Sequence, residues 1–209
     1  MDMETVVLVH GLWMNGWDMS LLRRRLQQAG YDTHRFSYRS MRSTPMENAM
    51  DLNAFLLDLD AAVIHLVAHS LGGLVARHLF HEYPGQRPGR VVTLGTPHQP
   101  STAAQTLAGF PLTRMLLGKS IIKGLLGNAP PWHRDHELGS IAGDMRLGVG
   151  MVVPGIVQPG DGTVGVEETR LEGMTDHTVV HATHTGLLLS KSAADQVIHF
   201  LRTGSFKKS

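Results

Sequence analysis

The sequence predicts an α/β protein with a doubly wound, mostly parallel sheet of about six strands. Two observations favour this fold class. Short apolar runs alternate with helical patterns along almost the whole chain, and polar residues suited to chemistry follow several of those runs. The chain has 209 residues, enough for one sizeable core and too few for two comfortable domains. We therefore expect one domain over residues 1–204, followed by a tail at 205–209.

Six short segments have the patterns of strands. Residues 5–9 form a fully apolar run of the kind buried in a parallel sheet, and residues 63–67 form a second one. In doubly wound sheets, functional groups collect at the carboxyl ends of the strands. In chain order, the predicted strands are residues 5–9, 31–38, 63–67, 90–94, 138–142 and 178–182.

Four segments between or after these strands are predicted as amphipathic helices. In the first, Leu22 and Leu26 turn inward, and Gly30 follows where a C-terminal cap belongs. The third stops before Pro84, which cannot continue a helix. In chain order, the predicted helices are residues 17–29, 46–59, 72–83 and 192–201.

Residues 101–136 break this alternation. Their apolar residues predict two short helices on either side of Gly118, and Pro130 and Pro131 end the second. Two interpretations remain open: an ordinary packing helix with a long loop, or a small cap or lid over a pocket. Residues 148–157 are rich in Gly and Val, and their pattern does not decide between strand and loop.

The composition excludes several classes of function. The net charge of +1 provides no global basic field for binding nucleic acid. The absence of cysteine excludes disulfides, thiolate catalysis and zinc bound by cysteine. No apolar stretch is long enough to be a transmembrane segment, and no signal peptide precedes residues 5–9, so we expect a cytoplasmic protein.

A serine stands at the corner between the third predicted strand and the third predicted helix. The stretch Ala68-His69-Ser70-Leu71-Gly72 passes from strand to helix within a few residues, which is the geometry of a nucleophile elbow. The small residues Ala68 and Gly72, two positions before and after Ser70, avoid clashes in such a turn. The same string also fits a buried strand followed by the start of a helix, so a catalytic Ser70 requires partners elsewhere.

An activated serine needs a base, and the base needs an acid that orients it. Asp161 lies in a Gly-rich turn, and His184 lies in the loop after the last predicted strand. Asp144 and Asp176 compete for the role of the acid, and His181 competes for that of the base. We predict that Asp161 and His184 act, because His181 falls inside the predicted strand whereas the following loop can reach the serine.

The remaining parts of such a site concern the oxyanion and the acyl group. An oxyanion needs two preorganised backbone N–H donors. We predict the amide of Leu71, at the positive end of a helix, and that of Leu12, in the loop after the first strand. Trp13 and Met14 in the same loop would suit an apolar acyl pocket. This chemistry needs no metal and no organic cofactor.

Five motifs stand at the ends of predicted strands or in turns near them. They are His10-Gly11-Leu12-Trp13, Ala68-His69-Ser70-Leu71-Gly72-Gly73, Leu94-Gly95-Thr96-Pro97-His98, Asp161-Gly162-Thr163-Val164 and His184-Thr185-Gly186-Leu187. Together they resemble the α/β-hydrolase superfamily, and most of all its small bacterial lipases and esterases. The resemblance covers nearly the whole chain, and the order Ser, Asp, His is the order of that fold.

The resemblance implies a minimal α/β-hydrolase fold and an enzyme that cleaves carboxylic esters through an acyl-enzyme. Its substrate would be a small-molecule or lipid ester. A separate hypothesis from the apolar pattern of residues 101–136 is that they form a mobile lid that contacts lipid interfaces transiently. A thioesterase or amidase with the same triad, and a catalytically silent binding protein, remain alternatives.

Three features depart from the pattern of the superfamily. The sequence begins at the predicted strand that precedes His10-Gly11, so we expect the first two strands of larger relatives to be absent, and Ala68 stands where a glycine is usual. Relatives often continue with Arg-Gly-Ser after the third motif, whereas this chain has Gln99-Pro100-Ser101. The last departure concerns the local loop and leaves the predicted triad untouched.

Overall fold

The computed structural model describes residues 3–146 and 159–208, and six strands of these residues form one sheet. All neighbouring strands run parallel. The strands are β1 (Thr5–Val9), β2 (Asp32–Phe36), β3 (Ile64–His69), β4 (Val91–Leu94), β5 (Leu138–Gly143) and β6 (Asp176–Val180). Their order across the sheet is β2-β1-β3-β4-β5-β6, so the chain winds outward in both directions from β1 and β3. The predicted fold class is confirmed.

The described residues also form seven α-helices and two short 3₁₀ helices. The α-helices are α1 (Ser20–Gln28), α2 (Pro45–Leu57), α3 (Leu71–Glu82), α4 (Thr102–Ala108), α5 (Pro111–Leu117), α6 (Gly186–Leu189) and α7 (Lys191–Thr203). The 3₁₀ helices are Gly118–Ile121 and Glu167–Thr169. None of these helices has both the length and the apolar composition that crossing a bilayer requires.

Helices cover both faces of the sheet, and each face has its own apolar cluster. On one face, Leu26 of α1 and Phe200 of α7 belong to the same cluster as Leu8 of β1. On the other face, Leu52 of α2 and Leu79 of α3 belong to a second cluster, which also contains the strand residues whose side chains lie on that face. Because the central strands are buried on both sides, they read in the sequence as continuous apolar runs.

The segment between β4 and β5 differs from its prediction. Helix α5 matches the first of the two helices expected around Gly118, but the second is wrong, because a 3₁₀ helix and turns follow instead. Gly118 itself has a φ of 56°, which bends the chain and ends α5. Helix α4 was not predicted, and its N-terminus is capped by the Ser101 side chain, which accepts a hydrogen bond from the Ala104 amide.

Near the C-terminus, two boundaries and one terminal segment also differ. Strand β6 begins and ends two residues earlier than predicted, so that His181 follows the strand, and the short helix α6 was not predicted. The predicted tail is packed at Phe206, whose ring centroid lies 4.9 Å from that of Phe200. Phe206 is buried because β5 offers only Gly139 beneath the two rings. The Gly/Val-rich stretch 148–157 lies outside the described residues.

Candidate active site

Loops at the carboxyl ends of three strands bring the predicted residues to one edge of the sheet. Leu12 follows β1, Ser70 follows β3 directly, and His184 lies in the loop after β6. Asp161 lies in a turn closed by an antiparallel bridge between Gly160 and Gly165. Parallel strands end at a common edge, and this is why residues so far apart in the chain converge.

Ser70 occupies a strained corner between β3 and α3. Its φ of 52° and ψ of −121° lie in a region that residues with a side chain rarely adopt. The surroundings hold it there: the Ser70 amide donates to the Leu94 carbonyl at 2.9 Å, and the Thr96 hydroxyl donates to the Ser70 carbonyl at 2.9 Å. The strain is therefore imposed by the ends of β3 and β4.

The small residue two positions after the serine has a steric cause. A Cβ atom on Gly72 would lie 2.7 Å from the carbonyl oxygen of His10 and would also strike that of Val9. Only glycine lets α3 approach the end of β1 this closely. Ala68, in contrast, points into the cluster beneath α2 and α3, where its methyl group is fully buried and accommodated.

His184 and Asp161 form a hydrogen-bonded pair. Nδ1 of His184 lies 2.7 Å from Oδ2 of Asp161, and the His184 amide donates to the Asp161 carbonyl at 2.9 Å. The other carboxylate oxygen, Oδ1, accepts the amides of Thr163 and Val164 at 2.9 and 2.7 Å. Asp161 is buried, and these donors hold its carboxylate in place.

The competing residues form a second His–Asp pair outside the site. Nδ1 of His181 lies 2.8 Å from Oδ1 of Asp144, but the His181 side chain is 77% exposed and is not among the residues that line the cavity of Ser70. Asp176 instead accepts the amides of His177 and Phe206 at the beginning of β6. The reason given for excluding His181 as the base is wrong. His181 lies beyond strand β6 rather than within it.

A glycine that the sequence analysis assigned no role makes room for the buried pair. A Cβ atom on Gly95 would lie 3.0 Å from Oδ2 of Asp161 and 3.0 Å from Nδ1 of His184. Gly95 also has a φ of 57°. The signal was present in the sequence, since a glycine directly after an apolar strand marks a close approach of the backbone. What approaches it is visible only in three dimensions.

Ser70 and His184 face a common cavity of about 330 Å³. The lining is mostly apolar, and Leu107, Leu117 and Leu125 reach it from the segment between β4 and β5. Its volume and character suit a small apolar group. No hydrogen bond joins the Ser70 hydroxyl to the His184 ring among the described residues; such contacts often tighten only when substrate binds. Two larger cavities elsewhere, of about 500 and 450 Å³, are lined by none of the residues of the predicted triad.

The two predicted oxyanion donors adjoin this cavity. Leu71 is the first residue of α3, where a backbone N–H has no acceptor within the helix. Leu12 lines the cavity from the loop after β1. The side chains of both residues pack in one apolar cluster together with Leu117 of α5. Both residues are thus supported by the same segment that walls the cavity.

Trp13 and Met14, the predicted pocket residues, both line the cavity. Trp13 has a φ of 59°, and its indole N–H donates to the carbonyl of Leu116 at 2.7 Å. The loop after β1 is therefore tied directly to α5.

His10 also holds the loop after β1 in place. Its Nε2 accepts the Tyr38 amide at 3.3 Å, so the proton lies on Nδ1, which donates to the Gly11 carbonyl at 2.8 Å. Burial lowers the pKa of His10, which keeps the ring neutral and this arrangement stable.

The chain belongs to the alpha/beta hydrolase family, whose pattern matches residues 6–198. Among solved structures, it is similar to the mature lipase BlEst2 of Bacillus licheniformis, with a TM-score of 0.78 and 19% identity over 97% of this chain and 92% of that one. A carboxylesterase structure from Nitrososphaera gargenis has a TM-score of 0.64 and 14% identity, covering 97% of this chain and 91% of that one.

The carboxylesterase CesB of Bacillus subtilis has a TM-score of 0.59 and 14% identity, covering 97% of this chain and 85% of that one. At such identities the likeness concerns the fold. A comparison with curated protein sequences found no match.

Proposed function

We propose that this protein is a serine hydrolase that cleaves carboxylic esters through an acyl-enzyme intermediate. One observation carries the proposal: His184, joined at 2.7 Å to the buried Asp161, lines the cavity that also contains the strained Ser70. The lipase and carboxylesterases of similar fold support an ester as the substrate class.

In the first half of the reaction, Ser70 Oγ attacks the ester carbonyl carbon. His184 Nε2 takes the hydroxyl proton, while Asp161 holds Nδ1–H and stabilises the imidazolium that forms. The resulting tetrahedral oxyanion accepts hydrogen bonds from the amides of Leu12 and Leu71. His184 then gives its proton to the departing alkoxide, so the C–O bond breaks and an alcohol leaves.

In the second half, a water molecule attacks the acyl-enzyme. His184 takes a proton from the water, and the same two amides stabilise the second oxyanion. When this intermediate collapses, the bond to Ser70 Oγ breaks, His184 returns the proton to it, and the carboxylic acid leaves. Every proton transfer is handled by one imidazole, so the cycle needs only groups of this chain and water.

The apolar surface beside the cavity supports a lipid interface as the place of action. Residues 101–136 expose a group of large apolar side chains on and beside α5, and residues 101–134 contain basic but no acidic residues. The exposed group consists of Phe110, Leu112, Met115, Leu116 and Ile122. We propose that this segment is a lid within a single domain over residues 1–204, and that it contacts the surface of aggregated lipid esters.

The central test is Ser70→Ala with a chromogenic short-chain ester. We expect turnover to fall to background, whereas Ser192→Ala, a serine on the exposed side of α7, should retain wild-type turnover. A Ser70→Ala protein that keeps wild-type turnover would overturn the proposal.

Two further measurements address the alternatives. A panel of matched esters, thioesters and amides would identify the leaving atom, which the triad alone does not determine. Covalent labelling by a fluorophosphonate would distinguish an enzyme from a catalytically silent binding protein, since only an activated serine reacts.

A further inference from the structure

His69 connects the proposed nucleophile to the proposed base. It is the last residue of β3, precedes Ser70 directly and is only 1% exposed. Its Nε2 lies 3.1 Å from the backbone oxygen of His184, and its ring centroid lies 4.7 Å from the His184 ring.

The hydrogen bond fixes the protonation of the His69 ring. A carbonyl oxygen can only accept, so the proton lies on Nε2. Nδ1 then presents a lone pair, which has no partner among the described residues. Burial, followed by repulsion from a charged His184, lowers the pKa of His69 to about 3. The ring therefore stays neutral when its neighbour becomes an imidazolium.

Three hydrogen bonds hold His184 itself in place. Its amide and its Nδ1 both bond to Asp161, and its carbonyl bonds to His69. The first two contacts set the base relative to the acid. Only the third sets it relative to the serine, because His69 and Ser70 are consecutive residues. His69 also lies close to the loop of Leu12, since a Cβ atom on Gly11 would be 2.9 Å from its Nδ1.

We propose that His69 is a positioning residue that sets the distance between Ser70 and His184 through its Nε2–H bond to the His184 carbonyl. This inference rests on the proposed function. It assigns a catalytic consequence to a contact that involves no reacting atom. Since errors of about 1 Å in the placement of reacting groups can cost on the order of 100-fold in rate, the contact should affect kcat far more than KM.

Two substitutions separate the hydrogen bond from the packing of the ring. His69→Phe keeps an aromatic ring but removes the donor. His69→Gln keeps an N–H at about the position of Nε2 and removes the ring. We expect His69→Phe to lower kcat about 10- to 100-fold with KM within about twofold, and His69→Gln to stay within about fivefold of the wild type. Rates of fluorophosphonate labelling should follow the same order.

His78 provides a matched control. It is also buried, donates from Nε2 to a backbone carbonyl, that of Lys123, at 2.8 Å, and leaves Nδ1 without a partner among the described residues. It lies two turns into α3, away from the triad. His78→Phe should lower the melting temperature about as much as His69→Phe while leaving kcat near that of the wild type.

Three results would overturn the inference while the wild type remains active. They are wild-type kcat in His69→Phe, equal losses in His69→Phe and His69→Gln, and an equal loss of kcat in His78→Phe. If His69→Phe does not fold, His69→Asn takes its place, because its shorter amide cannot reach the carbonyl, and equal rates for Asn and Gln would overturn the inference. A wild type that neither turns over esters nor labels would instead overturn the proposed function.

Discussion

Nδ1 of His184 lies 2.7 Å from Oδ2 of Asp161, although an exposed pair of the same kind, His181 and Asp144, stands near it on the same edge of the sheet. The two pairs have almost the same geometry. They differ in burial: the His184 and Asp161 side chains are 15% and 1% exposed, whereas those of His181 and Asp144 are 77% and 39% exposed. Of the two histidines, only His184 lines the cavity of Ser70.

The two pairs therefore allow a matched test of Asp161 as the acid of the proposed triad. Asp161→Asn should lower kcat by about 10³- to 10⁴-fold, because an amide no longer holds the tautomer of His184 that accepts the serine proton. Asp144→Asn removes the same charge from the exposed pair and should leave kcat unchanged. Equal effects of the two substitutions on ester turnover would contradict this assignment.

Gly95 should tolerate no side chain. Gly95→Ala would place a methyl group 3.0 Å from both Asp161 Oδ2 and His184 Nδ1, in addition to the cost of about 1–2 kcal/mol for a left-handed backbone. We expect lower stability in urea unfolding together with a loss of kcat.

Gly30→Ala is the control for Gly95→Ala, because Gly30 also has a positive φ, 98°, but nothing lies within 4 Å of its Cβ position. Gly30→Ala should lower the free energy of unfolding only by the cost of the left-handed backbone, and kcat should stay at the wild-type value. Full activity of Gly95→Ala would show that the pair can shift without consequence.

The exposed face of α5 should matter only for aggregated substrate. Replacing both Leu112 and Met115, which are 78% and 74% exposed, by serine should lower the rate on an emulsified long-chain ester about tenfold. The rate on a dissolved short-chain ester should not change, because neither side chain lines the cavity. The matched control replaces Met50 and Leu57, exposed residues of α2, by serine. No rise in the wild-type rate above the solubility limit of the ester would contradict a role at interfaces.

Stability should fall on acidification below pH 6.5. Burial lowers the pKa of six histidines, so the unfolded chain binds more protons than the folded one, and the free energy of unfolding must rise with pH in this range. The pKa of His69 is about 3 in the folded protein and 6.5 in the unfolded chain. Its contribution to the free energy of unfolding therefore falls by about 2 kcal/mol between pH 7 and pH 5. The six are His10, His65, His69, His78, His98 and His177.

Urea unfolding between pH 5 and pH 8 measures this dependence. His98→Gln removes one of these groups at a position outside the proposed triad and should make the dependence on pH shallower. Equal unfolding free energies at pH 5 and pH 7 would contradict the prediction.

Local sequence patterns determined the order of the elements and the place of the elbow. The mostly apolar runs of β1 and β3 predicted strands buried on both faces, and the abrupt change of pattern at Ser70 predicted the corner. Both are properties of neighbouring residues, so they are visible without knowing the packing. The same local reasoning found α5 but missed α4 and wrongly predicted a second helix after Gly118, because short helices depend on contacts with the rest of the protein more than on their own periodicity.

Tertiary structure alone decided which histidine meets which carboxylate. His181 and His184 are three residues apart and both follow β6, and each has an aspartate within 2.8 Å. Which pair is buried depends on the turn of Asp161 against Gly95, a contact between distant segments. The bond of His69 to the His184 carbonyl is of the same kind. Sequence spacing carries no information about such contacts, because burial and distance arise only when the strand ends come together.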